Sequence, residues 1–262
     1  MVTSYPPLRP LVDPEYKPAA VFRPGSVPLH LAKEVKEGLD KDVRLGVIEE
    51  VPVNTPVTWC ARMVVCMKKS GKVRRTVDFK HVNRAAPRQT HAVEPPFMQA
   101  SKVPPRTWRT CLDAREGYHS IPIHEEDRHI TTFLTHWGSY RYLVTPLGYL
   151  SAGDGYCQRY NLITRDMKKS TRCVNNTCLW EDSVEKNFFS TCQYLTLGSS
   201  NGIVFTVNKF QFCQRELGFV GFWLTEDGIR PTLVMLESIT SFPRPRDISG
   251  IRSFFGLVEQ VF

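Results

Sequence analysis

Three stretches of this sequence double back on themselves, and amphipathic helical patterns of unequal spacing separate them. Thr58 to Met67 and Val73 to Phe79 read as two strands around Lys68-Lys69-Ser70-Gly71-Lys72. Phe133 to Val144 alternates apolar and polar residues around Gly138, and Arg172 to Trp180 reads as strand, tight turn and strand with Asn175-Asn176 at the tip. Tight hairpins force antiparallel neighbours, because parallel strands need a long crossover. Helical spacing is predicted over Leu31–Leu45 (apolar at Leu31, Val35, Leu39 and Val43), Tyr156–Met167, Glu185–Leu197, Pro231–Phe242 and Ile248–Val261. Short strands are expected at Val47–Val51, Thr107–Leu112, Ile203–Val207 and Leu217–Leu224. Hairpins mixed with crossing helices give an α+β fold, not a doubly wound parallel sheet.

The chain is long enough, at 262 residues, for one large domain or two to three subdomains. It has no apolar run of transmembrane length and no signal-peptide core near its start, and the Pro-rich residues 1–29 read as an extended arm. The eight cysteines include no C-x-x-C pair, so they are expected to be reduced, mostly buried thiols of an intracellular protein, cytoplasmic or nuclear and not secreted, rather than a zinc site. Charge carries more information. Of the net +8, residues 60–110 hold twelve Lys/Arg (62, 68, 69, 72, 74, 75, 80, 84, 88, 102, 106 and 109) against Asp78 and Glu94. One basic block on a near-neutral body points to a polyanionic partner, most simply nucleic acid; with no apolar run of spanning length, no membrane partner is expected.

Asp113 closes a predicted strand, a common place for a metal-binding carboxylate. His124 and His129 lie in a charged run (HEEDRH) and read as surface residues. No phosphate-binding G-x-x-x-x-G-K or dinucleotide-binding G-x-G-x-x-G occurs.

Seven pieces, in register from about Leu31 to the last residue, resemble the reverse transcriptase domain of gypsy-type LTR retrotransposons: RLGVIEEV, VVCMKKSGKVRRTVDFKHVN, LDAREGYHSIPIHEEDRHITTF, TPLGYLSAGDGYCQRY, GIVFTVNKFQF, LGFVGFWLTEDGIRP and FPRPRDISGIRSFFGL. The resemblance implies a right-hand polymerase fold, with residues 30–112 mainly fingers, 113–225 palm with an inserted fingers hairpin near 119–150, and 226–262 the start of a thumb. It implies an RNA-directed DNA polymerase extending a primer on an RNA or DNA template with dNTP and Mg2+. Asp113 matches the first palm carboxylate and metal ligand, and Tyr118 the residue beneath the incoming sugar. Lys68, Lys69 and Arg74 match fingers residues that hold template and triphosphate. Leu147 and Gly148 match the motif against the nascent base pair, where the family usually has an aromatic or Gln in place of Leu147. Lys209 resembles the lysine near the leaving pyrophosphate, and Phe219, Gly221 and Phe222 the turn that grips the primer.

The departure lies at the hairpin that in this family carries aromatic-x-Asp-Asp. By order and flanks, Cys173-Val174-Asn175-Asn176 occupies it, and a rival is Trp180-Glu181-Asp182. Two-metal phosphoryl transfer needs clustered carboxylates. Two neutral amides remove two negative charges, each worth about 4 kcal/mol per unit of ion charge at 4 Å and an effective dielectric of about 20. The expectation is a degenerate polymerase with little or no activity, or a retained nucleic-acid-binding protein; compensation by Glu181 or Asp182 is the third reading.

Overall fold

A computed structural model describes residues 6–67, 71–87, 94–115 and 117–259. In chain order its elements are α1 (Ala32–Arg44), β1 (Ile48–Glu50), β2 (Ala61–Met67), β3 (Val73–Asp78), α2 (Lys80–Ala85), α3 (Pro96–Ser101), β4 (Trp108–Asp113), β5 (Phe133–Thr135) and β6 (Gly138–Tyr142). There follow α4 (Ala152–Thr164), β7 (Ser170–Cys173), β8 (Asn176–Glu181), α5 (Val184–Ser200), β9 (Gln211–Gln214), β10 (Leu217–Phe219), β11 (Phe222–Leu224), β12 (Ile229–Pro231), α6 (Leu233–Thr240) and α7 (Ile248–Val258). The fold is α+β, and its contacts divide it into two compact units.

One unit takes residues 2–91 and 116–159. Its five-stranded sheet has the order β1-β6-β5-β2-β3, antiparallel except for β2 beside β5. The stripe predicted on α1 faces this core: Val35 and Leu39 are fully buried beside Ile48, Phe133 and Tyr140. Each such side chain contributes about 1.5–3 kcal/mol. Gly46, at φ +67°, lets the chain leave α1 and enter β1. The expected extended arm lies along this unit, through bridges Leu8–Ile123 and Ala20–Cys60.

Tyr142 packs on Phe79 and Phe133 in the same core, and loss of water pushes its phenol up to about 12 from an ordinary value near 10. A folded-state value raised this way favours the fold while the phenol is neutral, and that stabilisation is lost as pH climbs from about 10 towards 12. Thermal melts across that window should show falling stability, and Tyr142→Phe should lessen the fall.

The other unit takes residues 92–115 and 160–262, apart from residue 1, which lies outside the described residues. An antiparallel sheet runs β7-β8-β4-β9, with α5 packed on β8 and β4, and a smaller antiparallel sheet runs β10-β11-β12. Cys111, Cys178, Leu217, Phe219, Phe222 and Leu224 form its apolar centre.

Several expectations need correction. Ile203–Val207 is not a strand: only Phe205 bridges, to Ala114. Leu217–Leu224 is a hairpin, because Val220 and Gly221 both take positive φ (47° and 92°) and turn the chain between β10 and β11. The helix predicted over Tyr156–Met167 starts and ends earlier, as α4, and the one over Pro231–Phe242 is the shorter α6, preceded by β12. Half of the eight cysteines are buried, while Cys66 and Cys192 are exposed; none is in a disulfide.

Candidate functional site

β4 is buried along nearly its whole length and delivers Asp113, 5% exposed, at its end. The ladder with β8 sets Asp113 directly across from Asn176 and Cys111 across from Cys178. The hairpin tip is one residue earlier than the sequence suggested. Cys173 pairs with Asn176, so Val174 and Asn175 make the turn, and Val174 carries the positive φ of 53°. A β-branched residue is strained there. The β4–β8 register overrides the preference of an Asn pair for the tip, and Ala114 N–H donates to Asn175 O at 2.8 Å.

Around Asp113 the donors converge. Thr206 Oγ1 donates to Oδ1 at 3.0 Å, and Oδ2 accepts from Asn175 Nδ2 at 3.0 Å and from Lys209 Nζ at 3.1 Å. Asn176 Nδ2 donates to Asn175 Oδ1 at 3.1 Å, so the two amides continue the chain of bonds. The carboxylate is held by an ammonium and two neutral donors, all from its own unit.

Behind the hairpin lies a buried hydroxyl chain. Thr177 Oγ1 and Tyr194 OH are 2.7 Å apart, and Tyr194 OH donates to Tyr160 OH at 3.0 Å. Burial pushes the Tyr194 phenol well up. Arg172 sits over the Tyr160 ring at 4.4 Å, donates to Val174 O at 2.9 Å and bonds Asn161. Arg172 and Thr206 were not singled out in the sequence; an Arg opening a hairpin strand was the available signal for the first, and Thr206 had none, since its role depends on the irregular return after α5.

Glu181 and Asp182 do not join this cluster. Glu181 pairs with Trp108 at the other end of the strand, five positions from Asn176, which is about 17 Å of extended chain. Lys169 bridges both acids, at 2.8 and 3.0 Å, and Ser190 caps Glu181.

The remaining predicted residues divide between the units. Lys68 and Lys69 lie outside the described residues. In the first unit Arg74 is exposed on β3 opposite Cys66, and Leu147 is half exposed. Gly148, at φ +96°, accepts from Asn83 Nδ2 at 2.8 Å. Tyr118 packs on Tyr156, ring centres 5.3 Å apart. Gly117 sets that pair: a Cβ there would come within 2.6 Å of the buried Tyr156 ring. Gly117→Ala should therefore cost about 1–3 kcal/mol, read as a lower urea midpoint, and shift the tyrosine absorbance. In the second unit Phe219 and Phe222 are buried, so only the Val220–Gly221 turn between them offers a surface to a ligand.

The basic block is also thinner than its count. Arg109 is 1% exposed and donates to Pro104 O and Thr225 O, at 2.9 and 3.0 Å, and to Arg215 O. Arg75 pairs with Asp42 and Lys102 with Glu94.

Among the described residues no group of three or more His, Cys, Asp or Glu could hold a metal ion. The donor set at Asp113 does not fit the pair of divalent ions the resemblance implies: it offers one carboxylate, and an ammonium already occupies it.

No family model matches the chain. It is 25% identical over 228 residues to the retrovirus-related Pol polyprotein from transposon 297 of Drosophila melanogaster, covering 86% of this chain and 21% of that protein. It is equally similar, over the same share of its length, to the Tf2-7 transposon polyprotein of Schizosaccharomyces pombe, covering 16% of it, and over 79% of its length to the Gag-Pol polyprotein of walleye dermal sarcoma virus, covering 12%. The chain thus spans about a fifth or less of these relatives. A solved foamy viral protease–reverse transcriptase in complex with double-stranded DNA superposes on 98% of the chain and 44% of that protein, with a TM-score of 0.85 at 16% identity. The fold is reverse-transcriptase-like. Another foamy viral structure, in complex with an RNA/DNA hybrid, gives a TM-score of 0.80 at 16% identity over 97% of the chain and 34% of that protein. The Pol relatives and this likeness together support a Pol-derived, reverse-transcriptase-like domain.

Proposed function

We propose that this reverse-transcriptase-like domain binds a primer on an RNA or DNA template in a polymerase frame, and that it no longer extends the primer. The observation that carries this reading is the state of Asp113. Both positions where the resemblance calls for carboxylates hold amides, and the remaining carboxylate is engaged by Lys209, Asn175 and Thr206. Activating a primer hydroxyl and stabilising the charge on a leaving pyrophosphate require cationic metal held by clustered anionic oxygens, and one ion-paired carboxylate supplies too few.

Binding has separate support. Exposed cations remain in the basic block, Arg74 and Lys80 among them, and phosphate contacts by Lys and Arg supply most non-specific affinity. The solved relatives with this fold are in complex with double-stranded DNA or an RNA/DNA hybrid. In this reading Lys68, Lys69 and Arg74 hold phosphates, Tyr118, Leu147 and Gly148 border the nucleotide, and the turn at Gly221 meets the primer.

The test pairs two measurements on one preparation. Primer extension on a primed RNA template with Mg2+ or Mn2+ should give no product, while a labelled primer–template hybrid should bind with an affinity that falls steeply with salt. Robust extension would overturn the loss of chemistry; absence of binding at low salt would overturn the frame itself.

A further inference from the structure

Asp113 and its neighbours are arranged in depth. The Asp113 side chain is 7% exposed and the Lys209 side chain 63% exposed, and the ammonium is bonded to the carboxylate. A solute arriving from water meets the ammonium before the carboxylate. An ammonium carries three N–H donors, and one is spent on Asp113. The Asn176 amide, of intermediate burial, likewise has a second N–H beyond the one it gives Asn175. Arg115, exposed two residues past Asp113, adds a guanidinium on the same side of the chain.

The signs follow. Asp113, Lys209 and Arg115 together carry one positive charge. With carboxylates at 175 and 176 the same group would carry one negative charge. A divalent cation is repelled by the outer groups and must displace Lys209 to reach oxygen. A phosphate is attracted by the same groups and displaces nothing.

We infer that the Asp113–Lys209–Asn176 cluster is a metal-independent phosphate site, in which the Lys209 ammonium takes phosphate oxygens directly, without a divalent cation. This rests on the proposed reading of the domain as a nucleic-acid-binding frame and inverts the electrostatics of its centre. The phosphate has two sources with one chemistry, the triphosphate of a nucleotide or the backbone of a bound strand. Mg2+ is then a competitor: it neutralises the phosphates that the site would otherwise attract.

The experiment measures dissociation constants by fluorescence anisotropy for a labelled dNTP and for a labelled primer–template hybrid, each in EDTA and in millimolar Mg2+. The parent chain is compared with Lys209→Gln and Lys209→Arg. The expected result is that at least one ligand binds as tightly in EDTA as in Mg2+ or more tightly, is weakened about tenfold by Lys209→Gln, as for a lost charge-assisted contact, and is retained by Lys209→Arg. Dependence confined to the dNTP assigns the triphosphate; dependence confined to the hybrid assigns the strand. Thermal melting of both variants separates lost binding from lost fold. The inference fails if neither ligand responds to Lys209→Gln, or if the responding ligand needs Mg2+. Hybrid binding that persists in all three proteins while neither ligand responds would sink the phosphate site and leave the proposed function standing. Loss of hybrid binding in the parent itself would sink the function.

Discussion

Replacing Asn175 and Asn176 together by Asp should give a protein whose melting temperature rises on adding Mg2+, whereas the parent's should not. Two carboxylates beside Asp113 would place three anions on facing strand ends, since the ladder sets residue 176 across from Asp113 and Asn175 already reaches its Oδ2. Without metal the variant should be less stable than the parent through like-charge repulsion. With metal that loss reverses, because a ligand bound only by the folded state stabilises it. Lys209 then has more than one carboxylate to choose from and no longer closes the site. Primer extension should emerge at about a hundredfold or more above the parent's background, which corresponds to only about 3 kcal/mol of barrier. Either single replacement should recover much less. A double variant that folds and binds the hybrid, yet shows neither a Mg2+-dependent melt nor extension, would mean that the amides are not what the chain lacks.

The largest stability effect is expected at Arg109. Its buried guanidinium gathers the carbonyls of Pro104, Arg215 and Thr225, tying the approach to β4, the start of the β9–β10 connection and the end of β11 to one side chain. Arg109→Ala takes their side-chain donor from Arg215 O and Thr225 O, while Pro104 O keeps Thr107 Oγ1, and each buried acceptor left without a partner costs about 1–3 kcal/mol. A loss of about 3–5 kcal/mol is expected, a large part of the 5–15 kcal/mol that typically holds a domain together. Arg109→Lys should recover little, because an ammonium lacks the planar fork. Urea denaturation of the three proteins measures both. A loss below about 1 kcal/mol for Arg109→Ala would show that the carbonyls of Arg215 and Thr225 find other partners.

Arg109 also shows what could not be read from the chain. In a run of twelve cations it looks like the others, and only the closure of β4 between β8 and β9 buries it. Periodicity sufficed where an element is decided by its own residues: the stripe of α1, the alternation of β5 and β6, and the strand that ends in Asp113 all lie where the pattern puts them. It failed where partners decide. The Asn175-Asn176 pair has the conformational freedom of a turn tip, yet the cross-strand register moves the tip to Val174. The apolar run Leu217–Leu224 looks continuous, and two positive φ angles break it. At the site, the resemblance supplied Asp113, Lys209 and the two amides, and their order along the chain could not show that Lys209 would bond the carboxylate. Glu181 and Asp182 remained rivals in sequence because counting residues does not give direction along a strand.

The pairing of Asp113 with Asn176 is made by backbone groups, and so are the bonds from Ala114 to Asn175 and from Cys173 to Asn176. None of them depends on what the side chains at 175 and 176 carry. Under the proposed function, the backbone frame is therefore blind to the loss of its chemistry, and the side chains at 175 and 176 change its stability only through their charge and their bond to Asp113. Asn and Asp codons differ by a single base. A lineage holding this chain can drift out of catalysis and back through two point changes without ever passing through a misfolded ancestor.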